Sequence, residues 1–219
     1  MSGWGWSGQA ATEACSFSLV GMERALFVRH GESVFSAKAL VNGDPSVACG
    51  LTELGRQQAT QLGERLAGEP IGLCVVTEFP RTHETADLVV GGREIPRLVV
   101  PELNDPFYGD FEGQALADYR QWAGTHGPED APPGGGETRL AIATRYVRGF
   151  CTLLERPESS LLVICHSLPI AFALAGADGR GPGAKMPLIT YAEPHVLYAD
   201  QLELAAKRLD EWTRKPVYA

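Results

Sequence analysis

Apolar residues fall along this chain in two kinds of pattern. Short unbroken runs at residues 25–28, 71–77 and 161–165 read as strands buried on both faces. Between them apolar positions recur at helical spacing. Ala59, Leu62, Leu66 and Ala67 mark a helix that Thr52 can cap and that Gly68 and Pro70 end. Leu140, Tyr146, Val147, Phe150, Leu153 and Leu154 form the inner face of a long helix over 138–155. Further helices are expected at 82–90, 114–122, 170–175 and 201–213, with a short strand at 97–100 and another near 195–198. Pro169 suits the first turn of the helix after the 161–165 strand.

Strands that alternate with helices predict an α/β fold, a three-layer α/β/α sandwich with a mainly parallel central sheet. No Pro/Ser-rich linker divides the 219 residues, so one domain over 22–219 is expected, preceded by a poorly specified extension over 1–21. The longest irregular stretch, 124–136, reads either as a mobile cover over a pocket or as a plain surface loop.

Composition narrows the function classes. Hydrophobic residues at 44% and charged residues at 21% argue against wholesale disorder. A net charge of −8 argues against a broad nucleic-acid or anionic-membrane surface, while leaving room for a local basic pocket. Five cysteines without CxxC spacing read as reduced thiols in the core, and no run approaches the roughly 18 apolar residues of a membrane span. With no signal-peptide pattern at the N-terminus, the expectation is a cytoplasmic protein without a membrane or nucleic-acid partner. Oligomeric state is left open.

The chemistry collects at strand exits, where open α/β sheets carry it. Arg29 and His30 follow the first strand, and Gly31 is expected to permit the turn there; Arg81 follows the second, Glu102 the third, and His166 the most apolar one. Carboxyl ends of parallel strands share one edge of the sheet, so these side chains can converge. Two guanidinium forks and two imidazoles suit a phosphate: arginine binds its oxygens in a bidentate manner, and histidine can donate to it or attack it. His126 and His195 lack partners at metal-ligand spacing, so neither a metal nor a cofactor is expected. The glycine-rich segment 178–185 lacks the Gly-Lys-Ser/Thr ending of a P-loop.

The ordered set Arg29-His30-Gly31-Glu32-Ser33, Leu51-Thr52-Glu53-Leu54-Gly55-Arg56, Arg81-Thr82-His83-Glu84-Thr85-Ala86, Glu102 with Gly109-Asp110-Phe111-Glu112-Gly113, Gly136-Glu137-Thr138 and His166 resembles the histidine phosphatase superfamily, phosphoglycerate mutase-like branch. The resemblance implies a phosphohistidine mechanism. His30 would attack phosphorus, Arg29, Arg81 and His166 would hold the phosphoryl oxygens, and Glu102 would serve as acid and base, with Asp105 in reserve. Two departures stand out. Ser36 occupies the place of a usual Asn, so that Ser36 or Asn42 on the next loop would supply the missing phosphate contact, and Ser167 replaces a common Gly. The family's mutases carry Glu-Arg-x-Tyr-Gly around the acid, whereas Glu102 is followed by Leu103-Asn104. The resemblance therefore implies a phosphatase of a small phosphorylated metabolite. A protein phosphatase and a catalytically silent phosphate-binding module are the alternatives.

Overall fold

The computed structural model describes residues 21–218; the expectation of an unspecified extension falls, apart from Gly21, outside them. Five strands form one sheet in the order β3-β2-β4-β1-β5, with β1 at Arg24–Arg29, β2 at Leu73–Val76, β3 at Arg97–Val99, β4 at Ser160–Cys165 and β5 at Pro194–Tyr198. All neighbours are parallel except β5, which runs antiparallel to β1. The mainly parallel α/β/α expectation holds.

The continuous apolar runs are explained by burial on both faces. Along β1, Ala25 and Phe27 point into one core and Leu26 and Val28 into the other, and β2 and β4 alternate in the same way. Helices α2 (Glu53–Arg65) and α3 (Pro80–Val90) cover one face, the latter starting with Pro80 in its first turn as fixed φ favours. Helices α5 (Arg139–Leu154), α6 (Ser167–Ala177) and α7 (Ala199–Arg214) cover the other, around the fully buried Tyr146, Phe150 and Phe172. A short α1 (Val34–Ala37) and α4 (Leu116–Ala123) lie in the connections, α4 with Val41, Tyr108 and Tyr119 in a third, smaller cluster.

The chain leaves β1 toward the α2 face and leaves the adjacent β4 toward the α6 face. A crevice therefore opens between the carboxyl ends of these two strands, the position at which open α/β sheets bind ligands. Gly31 has no left-handed backbone; its role is closeness. A Cβ there would stand 2.4 Å from the Gly55 carbonyl oxygen, and one on Gly55 would stand 2.0 Å from that of Glu32.

Two further expectations are refined. Of the two readings of 124–136 the surface loop fits better, since none of its residues lines the cavity described below, and its Pro133 carbonyl accepts from the Asp110 N–H at 2.7 Å while the adjoining Glu137 N–H donates to Phe107 O at 2.8 Å. Cys49, Cys74 and Cys165 are buried free thiols, but Cys151 is disulfide-bonded, against the reading of five reduced cysteines.

Candidate active site

β1 ends at Arg29 and delivers His30 into the crevice; β4 ends at Cys165 and delivers His166 beside it, the rings 5.3 Å apart and edge to face. The backbone N–H of His30 donates to Cys165 O, which fixes the two strand exits to each other. Arg81, in the first turn of α3, reaches between both rings and is only 3% exposed.

Arg81 determines the protonation of its neighbour. Its Nε lies 3.1 Å from His30 Nε2, and a guanidinium can only donate, so Nε2 accepts with its lone pair. The ring proton then resides on Nδ1, which donates to Gly31 O at 2.7 Å. Burial first, then the charge of Arg81, holds the His30 imidazole well below the usual histidine value. Arg81 also donates from Nη1 to Asn42 Oδ1 (2.7 Å) and from Nη2 to Asn42 O (3.1 Å) and Asp105 Oδ2 (2.9 Å).

Asp105 completes the cluster, with Oδ2 3.2 Å from His166 Nδ1. Burial opposes its charge, but His166 and Arg81 outweigh burial and hold its carboxyl well below the ordinary range. His166 Nε2 contacts Thr77 Oγ1 at 2.9 Å, and burial pulls this imidazole down to about 4 despite Asp105. His30, Asp105 and His166 could in principle share a metal ion. The Arg81 guanidinium, however, already contacts all three, so their centre holds a fixed cation. Arg29 holds its guanidinium carbon over the Tyr191 ring, 3.8 Å from its centroid, and donates from Nη1 to Ile189 O, leaving a buried Nε without a partner.

The structure thus brings together Arg29, His30, Arg81, Asn42 and His166, but not Glu102. β3 stops at Val99, and a single 3₁₀ turn at Pro101–Leu103 directs Glu102 toward α5, where its Cβ lies near Gly149. The turn that carries Asp105 is instead tied to α5. Arg145 Nη1 binds the carbonyls of Glu102 and Asn104, and the Tyr146 hydroxyl binds Asn104 O as well. Asn42 acts on Arg81 rather than lining the cavity. Ser36 lines it, but its hydroxyl is engaged with Ser33 in the capping box of α1. Glu137 binds Arg145 and the Phe107 N–H, leaving the cap of α5 to Thr138. Thr77 and Tyr191 were not foreseen, since neither stands in a motif; the spacing of Asp105 to Tyr108-Gly109, which repeats the acid-to-Tyr-Gly spacing of the mutase pattern, was the available signal for the carboxylate.

Both imidazoles sit below the 6.5 of an unfolded histidine. As pH falls below that value, the unfolded chain takes up protons that the folded one refuses, so these groups stabilise fully above 6.5 and progressively less below it. The melting temperature is expected to decline from pH 6.5 toward about 4, to which His166 is held. Circular-dichroism melts over a pH series check this, and a flat profile across that window would contradict it.

A cavity of about 200 Å³ opens over the cluster. Cationic donors around an unprotonated imidazole nitrogen, at the carboxyl edge of a parallel sheet, define an α/β protein fitted to a tetrahedral oxyanion. The chain belongs to the histidine phosphatase superfamily (branch 1), whose family model matches residues 25–212. It is 30% identical over 165 residues to the adenosylcobalamin/alpha-ribazole phosphatase of Escherichia coli, covering 71% of this chain and 79% of that one. It is 29% identical over 177 residues to a 2,3-bisphosphoglycerate-dependent phosphoglycerate mutase of Gloeobacter violaceus, covering 74% and 78%. The crystal structure of the alpha-ribazole phosphatase from Shigella flexneri superposes with a TM-score of 0.68 at 26% identity, over 79% of this chain and 89% of that one.

Proposed function

We propose that this chain is a phosphatase that hydrolyses a small phosphorylated metabolite through a phosphohistidine on His30. The observation that carries the reading is the His30 Nε2 lone pair, kept unprotonated and held by Arg81 in a cation-lined crevice. The alpha-ribazole phosphatases among the relatives point to the metabolite class.

As the Arg81 Nε–H turns from His30 Nε2 to a phosphoryl oxygen, the freed Nε2 lone pair forms a bond to phosphorus while the bond to the leaving oxygen breaks. Arg29, Arg81 and His166 donate to the phosphoryl oxygens and offset their charge. Asp105, in place of Glu102, is the proton carrier. Without substrate its carboxylate is paired with Arg81 and His166. An arriving phosphate dianion draws the same donors to itself and repels the carboxylate, which raises its proton affinity. The protonated Asp105 gives its proton to the leaving alkoxide. It then takes one from a water molecule whose oxygen attacks phosphorus, and the P–N bond breaks to restore the lone pair of Nε2. Arg81 also accounts for catalysis without a metal, since it supplies fixed positive charge at the reacting group.

Phosphate release from p-nitrophenyl phosphate is expected in the presence of a chelator, with competitive inhibition by vanadate, which adopts the five-coordinate geometry of the transferring phosphoryl group. Phosphatase assays with and without chelator test this; activity that appears only with added divalent metal would overturn it.

A further inference from the structure

The cavity over His30 extends well beyond a phosphate, and its far end repeats a feature of the near one. Arg29, at the phosphate end, is half-buried, with a buried and unpartnered Nε. Arg139, the first residue of α5, lines the same cavity at 7% exposure with both Nε and Nη1 unpartnered. Among the described residues it makes no ion pair; one hydrogen bond, from Nη2 to Ala184 O at 3.3 Å, fixes it. A buried guanidinium with idle N–H groups is costly unless an acceptor arrives. Arg120 and Lys185 line the same part of the wall, and the only carboxylate among the residues described around the cavity is Asp105 at the other end.

The wall gives the spacing. Arg139, Arg120 and Arg29 donate to the carbonyls of Ala184, Met186 and Ile189 in turn, so one segment of chain carries three arginines in order along its length. The first and last of these carbonyls are five residue steps apart, a span of at most about 18 Å. The lining also carries apolar and aromatic side chains, among them Phe35, Leu40, Tyr119, Leu168 and Leu188.

We infer that Arg139, with Arg120 and Lys185, forms a second oxyanion subsite, and that the substrate is a phosphomonoester whose alcohol part has an apolar body ending in a carboxylate or a second phosphate. This rests on the phosphatase reading above and specifies its substrate class. Arg139 touches the distal group and not the reacting phosphorus, so its effect belongs in KM.

The test compares ω-carboxyalkyl phosphates and alkanediol bisphosphates of graded chain length with n-alkyl phosphates of the same lengths, following phosphate release. In the wild-type protein, kcat/KM for the doubly anionic series is expected to exceed that of its n-alkyl counterpart by about tenfold or more at one optimal length. The preference is expected to reside in KM and to collapse in Arg139→Met; the two anionic arms tell a carboxylate from a phosphate. Equal kcat/KM for charged and uncharged chains at every length in the wild-type protein would overturn the subsite without any variant having to fold. So would an Arg139→Met protein of unchanged melting temperature that retains the preference. Failure of the wild-type protein to hydrolyse any of the series or p-nitrophenyl phosphate would instead overturn the phosphatase reading on which the subsite depends.

Discussion

Replacing His30 by alanine is expected to lower kcat on p-nitrophenyl phosphate by about 10⁴-fold or more, because it removes the nucleophile and not merely a contact. The loss has a second signature. Wild-type protein quenched during turnover of a phosphorus-labelled substrate should carry label that is stable to base and released by acid, as an N–P bond is, and the His30→Ala protein should carry none. The neighbouring His166 cannot take over. Its Nε2 is turned to Thr77 and its Nδ1 to Asp105 and Arg81, so the single lone pair of this neutral ring is engaged there and is not presented where His30 Nε2 lies. Turnover within tenfold of wild type in His30→Ala would remove the covalent mechanism altogether. An alanine there removes a neutral ring and idles the Arg81 Nε–H, but Arg81 keeps its bonds to Asn42 and Asp105, so the folded state should persist for the comparison.

The second large effect separates the two acidic residues. Asp105→Asn keeps the shape of the side chain and removes its proton transfer, and is expected to cost about 10²- to 10⁴-fold in kcat on an alkyl phosphate, whose leaving group needs a proton. On p-nitrophenyl phosphate, whose leaving group departs as a stable anion, the cost of the first step should shrink, leaving the deficit in cleavage of the phosphohistidine. Glu102→Gln is expected to change kcat by no more than about twofold, since Glu102 is not among the residues that line the cavity. Steady-state assays on both substrates decide between them: a large loss in Glu102→Gln with little in Asp105→Asn would reverse the assignment. Asp105→Asn also removes the negative partner of Arg81 and His166, so its melting temperature should be measured beside its activity.

The difference between Glu102 and Asp105 marks where sequence reasoning ends. A strand exit reliably delivers the next side chain to the sheet edge, and this placed Arg29, His30, Arg81 and His166 together from the pattern of apolar runs alone. At the third strand the rule fails because β3 is short and lies at the sheet edge, with the chain turning through a 3₁₀ helix before it reaches the site. What holds that turn is Arg145, some forty residues further along. No local pattern announces such a contact.

Ser36 and Asn42 show the same division. Sequence placed both near the phosphate as stand-ins for a missing Asn, yet the hydroxyl of Ser36 is spent on the cap of α1, and Asn42 orients Arg81 from behind. Their roles depend on which donor lies within hydrogen-bond reach, and that is a property of packing.

By itself, then, the sequence determined the α/β order, the two-faced burial of the strands and the histidine-arginine core of the site, because each of these follows from periodicity or from position at a strand end, and it showed the family through the resemblance of its ordered motifs. Only the tertiary structure decided the tautomer of His30, the placement of Asp105 beside Arg81 and His166, and the segment of wall to which Arg139, Arg120 and Arg29 all bind. Those are fixed by contacts between residues far apart in the chain, where a donor, an acceptor and the exclusion of water must coincide within a few ångströms.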